Sequence, residues 1–197
     1  NGTDYVWDGT GFETIQSIDE IRHNRYETVF TMKNDDKKIN NSLVIVDQCA
    51  EQNPFYGYLP QALGIIIAKL LDLNLIWLVW LPSLMNLLFY AGVVSYAVKK
   101  SPIFKIPIVF TACLPMAMFQ GVSVSIDSMI IALTILLISY FFYMYKSEEN
   151  SLNTKNILLF IALSFIIGLL KLPSLALSLL IFAVPKKNFN DKTKAIL

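Results

Sequence analysis

A single histidine, His23, is all the chain has. One imidazole cannot by itself build a conventional zinc site or a histidine-based catalytic cluster. The two cysteines, Cys49 and Cys113, fall in regions of opposite character, so a disulfide framework is not expected. Glycine-rich phosphate loops and Ser/His/Asp sets are absent. Charge itself is scarce: 16% of residues are charged, against about 25% in a soluble domain. The formal net charge is +1, and no nucleic-acid partner is expected.

What replaces charge is apolar. Hydrophobic residues make up 55% of the chain and the mean hydropathy is +0.53. The excess lies mostly after Tyr58, in runs such as "LNLIWLVWLPSLMNLLFYAGVVSYAV", "IPIVFTACLPMAMF" and "SMIIALTILLISYFFYMY". About 20 helical residues cross a hydrocarbon core of roughly 30 Å, so runs of this kind read as membrane spans. Helices buried in a soluble core would need amphipathic helices to cover them, and the chain has none to spare. The fold class is an all-α polytopic membrane protein.

The small net charge conceals a split. Residues 1–58 carry ten acidic and five basic side chains, whereas 59–197 carry five acidic and eleven basic ones. A polar, acidic N-terminal segment therefore precedes a membrane part whose loops are basic. Within that segment "ETVFTM" and "SLVIVDQ" alternate like two strands joined by the polar "KNDDKKINN". In "FETIQSIDEI", Ile15, Ile18 and Ile21 fall at helical spacing, so 1–58 reads as a small α+β extracellular segment. The chain opens at Asn1 with neither methionine nor signal peptide and closes in "DKTKAIL", which reads as a fragment of a longer protein.

The stretch Ile106–Tyr145 is uncharged except for Asp127. As one helix it would be about 60 Å long, twice a bilayer core, so it must turn back near its middle. The turn falls at "GVSVS", giving spans at about 106–120 and 127–145. Asp127 then heads the second span, where a carboxylate favours the positive end of the helix dipole. Lys99, Lys100 and Lys105 lie at one base of this hairpin and Lys146 at the other. Both bases belong in the cytoplasm by the positive-inside rule, and the 120–127 turn is external.

Lys155, Lys186, Lys187, Lys192 and Lys194 fit the same inner side, with 186–197 cytoplasmic. A hairpin of two short helices, about 157–170 and 172–184, keeps them there, with Lys171 at the outer tip and Pro173 in the first turn of the returning helix. A single span would not. Residues 75–98 form a further span with Trp77 and Trp80 in the outer interfacial belt. The segment 59–74 is too short to cross and is placed as an interfacial helix. The membrane part, 75–185, thus holds about five spans. A lysine excess over arginine fits an AT-rich bacterial genome, and hence a bacterial plasma membrane.

Three stretches carry a resemblance. "YGYLPQALGIIIAKLLDL", "LPSLMNLLFYAGVVSYAVKKSPIFK" and above all "CLPMAMFQGVSVSIDSMIIAL", followed at a distance by "GLLKLPSLAL", resemble the bacterial multi-pass membrane family catalogued as domain of unknown function 2142. The resemblance covers roughly Tyr56 to Pro185, and the proline–methionine followed by Ser-x-Asp at the outer turn is its most specific part. That family is grouped with the GT-C glycosyltransferases, which include protein O-mannosyltransferases and lipid A aminoarabinose transferases. The resemblance implies a GT-C-like fold and a polyprenyl-phosphate-linked sugar as donor, bound where the spans meet the external face. The acceptor it implies is a cell-envelope glycan, lipid or protein. The catalytic carboxylate of such enzymes follows their first span, a position that would precede Asn1, so no catalytic residue is assigned within this chain. Relatives often carry an arginine three residues before the asparagine matching Asn86; here Ser83 stands there, which weakens an anion-binding role.

Asp127 with Ser123 and Ser125 is the leading substrate-binding candidate, because an ionisable group at membrane depth is a functional hypothesis by default. Its rival role is a helix N-cap at a wet interface. Lys171 could pair with the phosphate of a lipid donor, or snorkel to the interface. Tyr56, Tyr58 and Gln61 in "NPFYGYLPQ" suit a sugar and suit interfacial anchoring equally. Asp35 and Asp36, with Asp47 nearby, sit in a lysine-containing loop and read as a solvated turn rather than a metal site. The cofactor is unassigned, with a divalent metal left open. Two functions follow: a transferase of the GT-C kind, or a non-enzymatic multi-pass scaffold or lipid-linked-sugar transporter of the cell envelope.

Overall fold

The computed structural model describes residues 54–74 and 76–190, and the backbone of two short strands nearer the N-terminus. These strands, β1 (Tyr5–Trp7) and β2 (Phe12–Thr14), pair antiparallel with Tyr5 opposite Thr14 and Trp7 opposite Phe12. The start of "FETIQSIDEI" is therefore strand. Ile15, Ile18, Ile21, the two alternating stretches after them, and Asp35, Asp36 and Asp47 lie outside the described residues.

A 3-10 turn at Phe55–Tyr58 leads straight into α1 (Leu59–Leu70), where Pro60 takes a first-turn position whose backbone donor would be unused anyway. Then come α2 (Trp77–Lys100), α3 (Lys105–Ala112), α4 (Pro115–Val122), α5 (Asp127–Lys146) and α6 (Thr154–Leu170). A 3-10 helix, Leu172–Ala183, forms the returning arm after α6.

Two of these helices, α2 and α5, are long and apolar enough to cross a membrane. A third span is counted if α3 and α4, bent by 61° at their junction, act together. Five full-length spans are not present among the described residues. The expected span at 106–120 is a broken pair because Pro115 supplies no donor and drives Leu114 into extended backbone (φ −57, ψ 140). The expected spans at 157–170 and 172–184 correspond to helices of 17 and 12 residues, each below the length of an ordinary crossing. The winding of the second compensates for its brevity. A 3-10 helix rises about 2 Å per residue, so its arm reaches about 24 Å against about 26 Å for α6.

Half of the apolar window of α5 is buried, against 17% for α2, which makes α5 the central element. One side of it packs on α2 and α3 through Tyr90, Ala97, Ile108, Ala112, Ala132 and Ile135. The other packs on α6 and the returning arm, around Leu137, Tyr140, Met144, Phe160 and Ile167. Ser128, Ala132 and Ser139 are fully buried along α5, small side chains that let neighbouring backbones approach without a hydrophobic driving force. The outward faces carry exposed Ile106, Phe110, Phe119, Leu158, Phe165 and Phe182, a surface suited to lipid.

The lysine-bearing helix ends meet at one end of this arrangement. The Lys100 ammonium lies 3.6 Å from the centre of the Tyr143 ring near the end of α5. Phe104, just before α3, contacts Phe142 with ring centres 5.1 Å apart. Leu152 and Phe189 form a β-bridge, so the two ends of the α6 hairpin lie side by side. The buried Asn188 amide donates to the carbonyls of Met144 and Tyr145, both at 3.1 Å, satisfying acceptors that the end of α5 leaves open.

Candidate functional site

At the opposite end, the chain between α4 and α5 makes a serine-rich turn. The Ser125 hydroxyl accepts the backbone N–H of Asp127 at 3.3 Å and lies 3.0 Å from the Ser123 hydroxyl. Ser123 also donates to the carbonyl of Gln120 at 3.0 Å, and Ser128 donates to that of Gly121 at 3.3 Å. Ile126 holds the cap position without a side-chain bond, and Ser125, one residue before it, takes the first free donor of the helix. Asp127 is the first residue of α5, and its carboxylate takes no ion pair or hydrogen bond among the described residues.

A broken helix leaves backbone carbonyls without intrahelical partners, and in lipid each such group costs several kcal/mol, about the worth of a whole buried side chain. Three side chains answer this need. Tyr90 donates to the carbonyl of Ala112 at the end of α3, at 2.8 Å. Asn86 donates to that of Ser123 at 2.5 Å, and Gln61 to that of Ser125 at 2.7 Å. Tyr90 and Asn86 lie on α2 one turn apart; Gln61 reaches in from α1. All three are buried, with Asn86 and Gln61 only 1% and 2% exposed.

Helix α1 can bring Gln61 there because it lies directly on α2. Gln61, Gly64 and Ala68 form its inward face. A Cβ on Gly64 would sit 2.5 Å from the backbone nitrogen of Pro82 and 2.6 Å from the carbonyl carbon of Leu81. Backbone meets backbone, and only hydrogen fits. The opposite face of α1 shows Leu59, Leu63, Ile66 and Leu70, all more than half exposed and spaced as one helical stripe.

The residues before α1 complete the grouping. A Cβ on Gly57 would fall 2.8 Å from Ile126 and 2.9 Å from Leu170. Its neighbour Tyr56 packs with Met129, Ile130 and Leu170. The structure therefore brings three distant segments to one place: Tyr56–Tyr58, the Ser123–Asp127 turn, and the end of α6 from which Lys171 projects. Lys171 is exposed, whereas Tyr58, Ser123, Ser125 and Asp127 are half-buried. The Tyr56 hydroxyl is enclosed and has no partner among the described residues, and burial raises its phenol above the ordinary tyrosine value. Gln61 differs from the sequence reading. Its amide points inward to hold Ser125, so it positions the turn rather than facing outward.

Asn86 and Tyr90 carry this grip without having been singled out as site residues by sequence. The available signal was an amide alone in an apolar run, which must find an internal partner in lipid. Among the described residues no three His, Cys, Asp or Glu side chains gather as a metal site would need. Chemically, the turn offers a carboxylate and two hydroxyls on a fixed backbone, with tyrosines beside them and an exposed lysine nearby.

A family model described as a predicted membrane protein (DUF2142) matches residues 18–197 of the chain. No curated protein and no solved structure matches it.

Proposed function

From a chain that belongs to the DUF2142 family of predicted membrane proteins, we propose part of a GT-C-like glycosyltransferase, working at the outer face of a bacterial plasma membrane. Its donor is a polyprenyl-phosphate-linked sugar and its acceptor a cell-envelope glycan, lipid or protein. Residues 1–58 belong to the external side, α1 lies at that interface with its leucine stripe toward lipid, and the α6 hairpin turns at the outer surface. The observation that carries the reading is the convergence of Tyr56–Tyr58, the Asp127 turn and the Leu170–Lys171 corner at the end remote from the lysine-rich helix termini.

In this reading Lys171 meets the donor phosphate as a compact point charge. Tyr56 and Tyr58 line the sugar, and Asp127 with Ser123 and Ser125 orients sugar or acceptor hydroxyls through hydrogen bonds. Gln61 and Asn86 hold those groups in position. A carboxylate outside this segment activates the acceptor as general base.

The test is transfer by the full-length protein in membrane vesicles supplied with a labelled polyprenyl-phosphate sugar. Asp127→Asn and Lys171→Gln should each lower transfer by at least about tenfold, the worth of one charged hydrogen bond, with folded protein undiminished. Transfer equal to that of the unaltered protein in both variants would remove these residues from the site. A lipid-linked-sugar transporter is the second reading, favoured by the break between α3 and α4, since discontinuous spans with side-chain-satisfied backbone line the substrate path of transporters. Movement of the labelled lipid across sealed vesicles without sugar transfer would select it.

A further inference from the structure

An apolar groove of about 330 Å³ runs between α3 and α5, walled by Phe104, Pro107, Ile108 and Thr111 on one side and by Ile135, Ile138 and Phe142 on the other. It lies on the face of the broken pair, toward the lysine end and apart from the Asp127 turn. The seven-residue advance from Ile135 to Phe142 makes it about 10 Å long. Its seven lining residues are apolar apart from the Thr111 hydroxyl, surroundings that suit a hydrocarbon chain.

Two lysines flank the groove without lining it. Lys105 follows Phe104 directly, and Lys146 stands one helical turn beyond Phe142 on the same face of α5. Both lysines are exposed, and neither takes an ion pair among the described residues. The start of α3 has no side-chain cap, so its helix end adds partial positive charge at the same point. An apolar slot between membrane-spanning elements, with two exposed lysines just beyond its Phe104–Phe142 end, matches one kind of molecule in character and charge.

We propose that this groove is a binding site for an anionic phospholipid of the surrounding bilayer, with one acyl chain between α3 and α5 and the phosphate between Lys105 and Lys146. The site depends on the membrane placement of the chain and not on the sugar-transfer reading, because it lies at the other end of the molecule.

The experiment is native mass spectrometry of the full-length protein in detergent, titrated with phosphatidylglycerol and with zwitterionic phosphatidylethanolamine. It is paired with photo-crosslinking by phosphatidylglycerol bearing a diazirine on its acyl chain. Phosphatidylglycerol should be retained in preference, and Lys105→Gln with Lys146→Gln should weaken its retention by about tenfold while leaving phosphatidylethanolamine unchanged. Ile138→Trp, which fills the groove, should abolish the crosslinks to α3 and α5. Should that variant fail to fold, the crosslinks on the unaltered protein decide, since crosslinks mapping away from 104–111 and 135–142 overturn the proposal. Equal retention of both lipids, preference for a polyprenyl phosphate, or loss of a dimer on Ile138→Trp would overturn it as well.

Discussion

The side-chain amide of Gln61 donates to the backbone carbonyl of Ser125 at 2.7 Å, across 64 residues of chain. A parallel bond runs from Asn86 to Ser123, and together they fix the backbone on which Asp127 is mounted. Gln61→Leu keeps the volume and removes the donor. It should lower stability by about 1–2 kcal/mol, since a buried acceptor is left unpaired. Thermal unfolding in detergent measures this. Because both amides hold one turn, Gln61→Leu and Asn86→Leu should combine non-additively in a double-mutant cycle. Strict additivity would mean the two bonds act on independent structures.

Gly64→Val should be far more damaging than its conservative chemistry suggests. The added side chain meets the backbone of Leu81 and Pro82, which cannot swing aside as a side-chain tip would. Helix α1 must lift from α2, and Gln61 leaves the turn with it. Gly92→Ala is the control, because a Cβ there meets nothing within 4 Å. It should be neutral or stabilise by up to about 1 kcal/mol through helix propensity. Folded yield and melting temperature of the two variants separate the cases.

Tyr56→Phe removes a hydroxyl that is enclosed without a partner among the described residues. Its loss should cost no stability at neutral pH. Burial raises the folded-state pKa of this phenol above its ordinary value of 10.0. As pH rises past about 10 the unfolded chain sheds the proton first, so stability declines through that window. The phenylalanine variant should show a shallower alkaline decline in a pH series of melting curves.

Single cysteines at Lys171 and Glu148, both exposed positions, test the orientation. In a background with Cys49 and Cys113 replaced by serine, an impermeant thiol reagent should reach Lys171→Cys from outside intact cells. Glu148→Cys should react only after the membrane is opened. The reverse pattern would invert the topology.

The apolar runs, the lysine flanks and the recess of Asp127 at a helix head were all legible in the sequence, because burial and charge are written in side-chain identity. Pro115 was visible too, yet an unbroken hydropathy signal across "TACLPMAMF" concealed that it splits the span. The amide clamp was harder to see. Gln61, Asn86 and Asn188 each bond a backbone carbonyl, and carbonyls are the same at every residue, so the sequence cannot say which one is chosen. Gln61 reads as a sugar contact because its neighbours are aromatic, and the structure engages its amide nitrogen with the Ser125 carbonyl. The convergence at Gly57 was equally hidden. A glycine announces that space is short, and only the fold tells which segments press upon it.

That convergence also has an order in time. Gly57 is synthesised long before Leu170, the later of the two side chains that press on it. A nascent chain that has inserted α2 and α5 already owns the clamp, but the wall supplied by α6 is still on the ribosome. The end of the molecule that carries Asp127 is therefore completed only when the α6 hairpin has formed. An interrupted or truncated chain would be threaded through the membrane and yet carry no completed surface there.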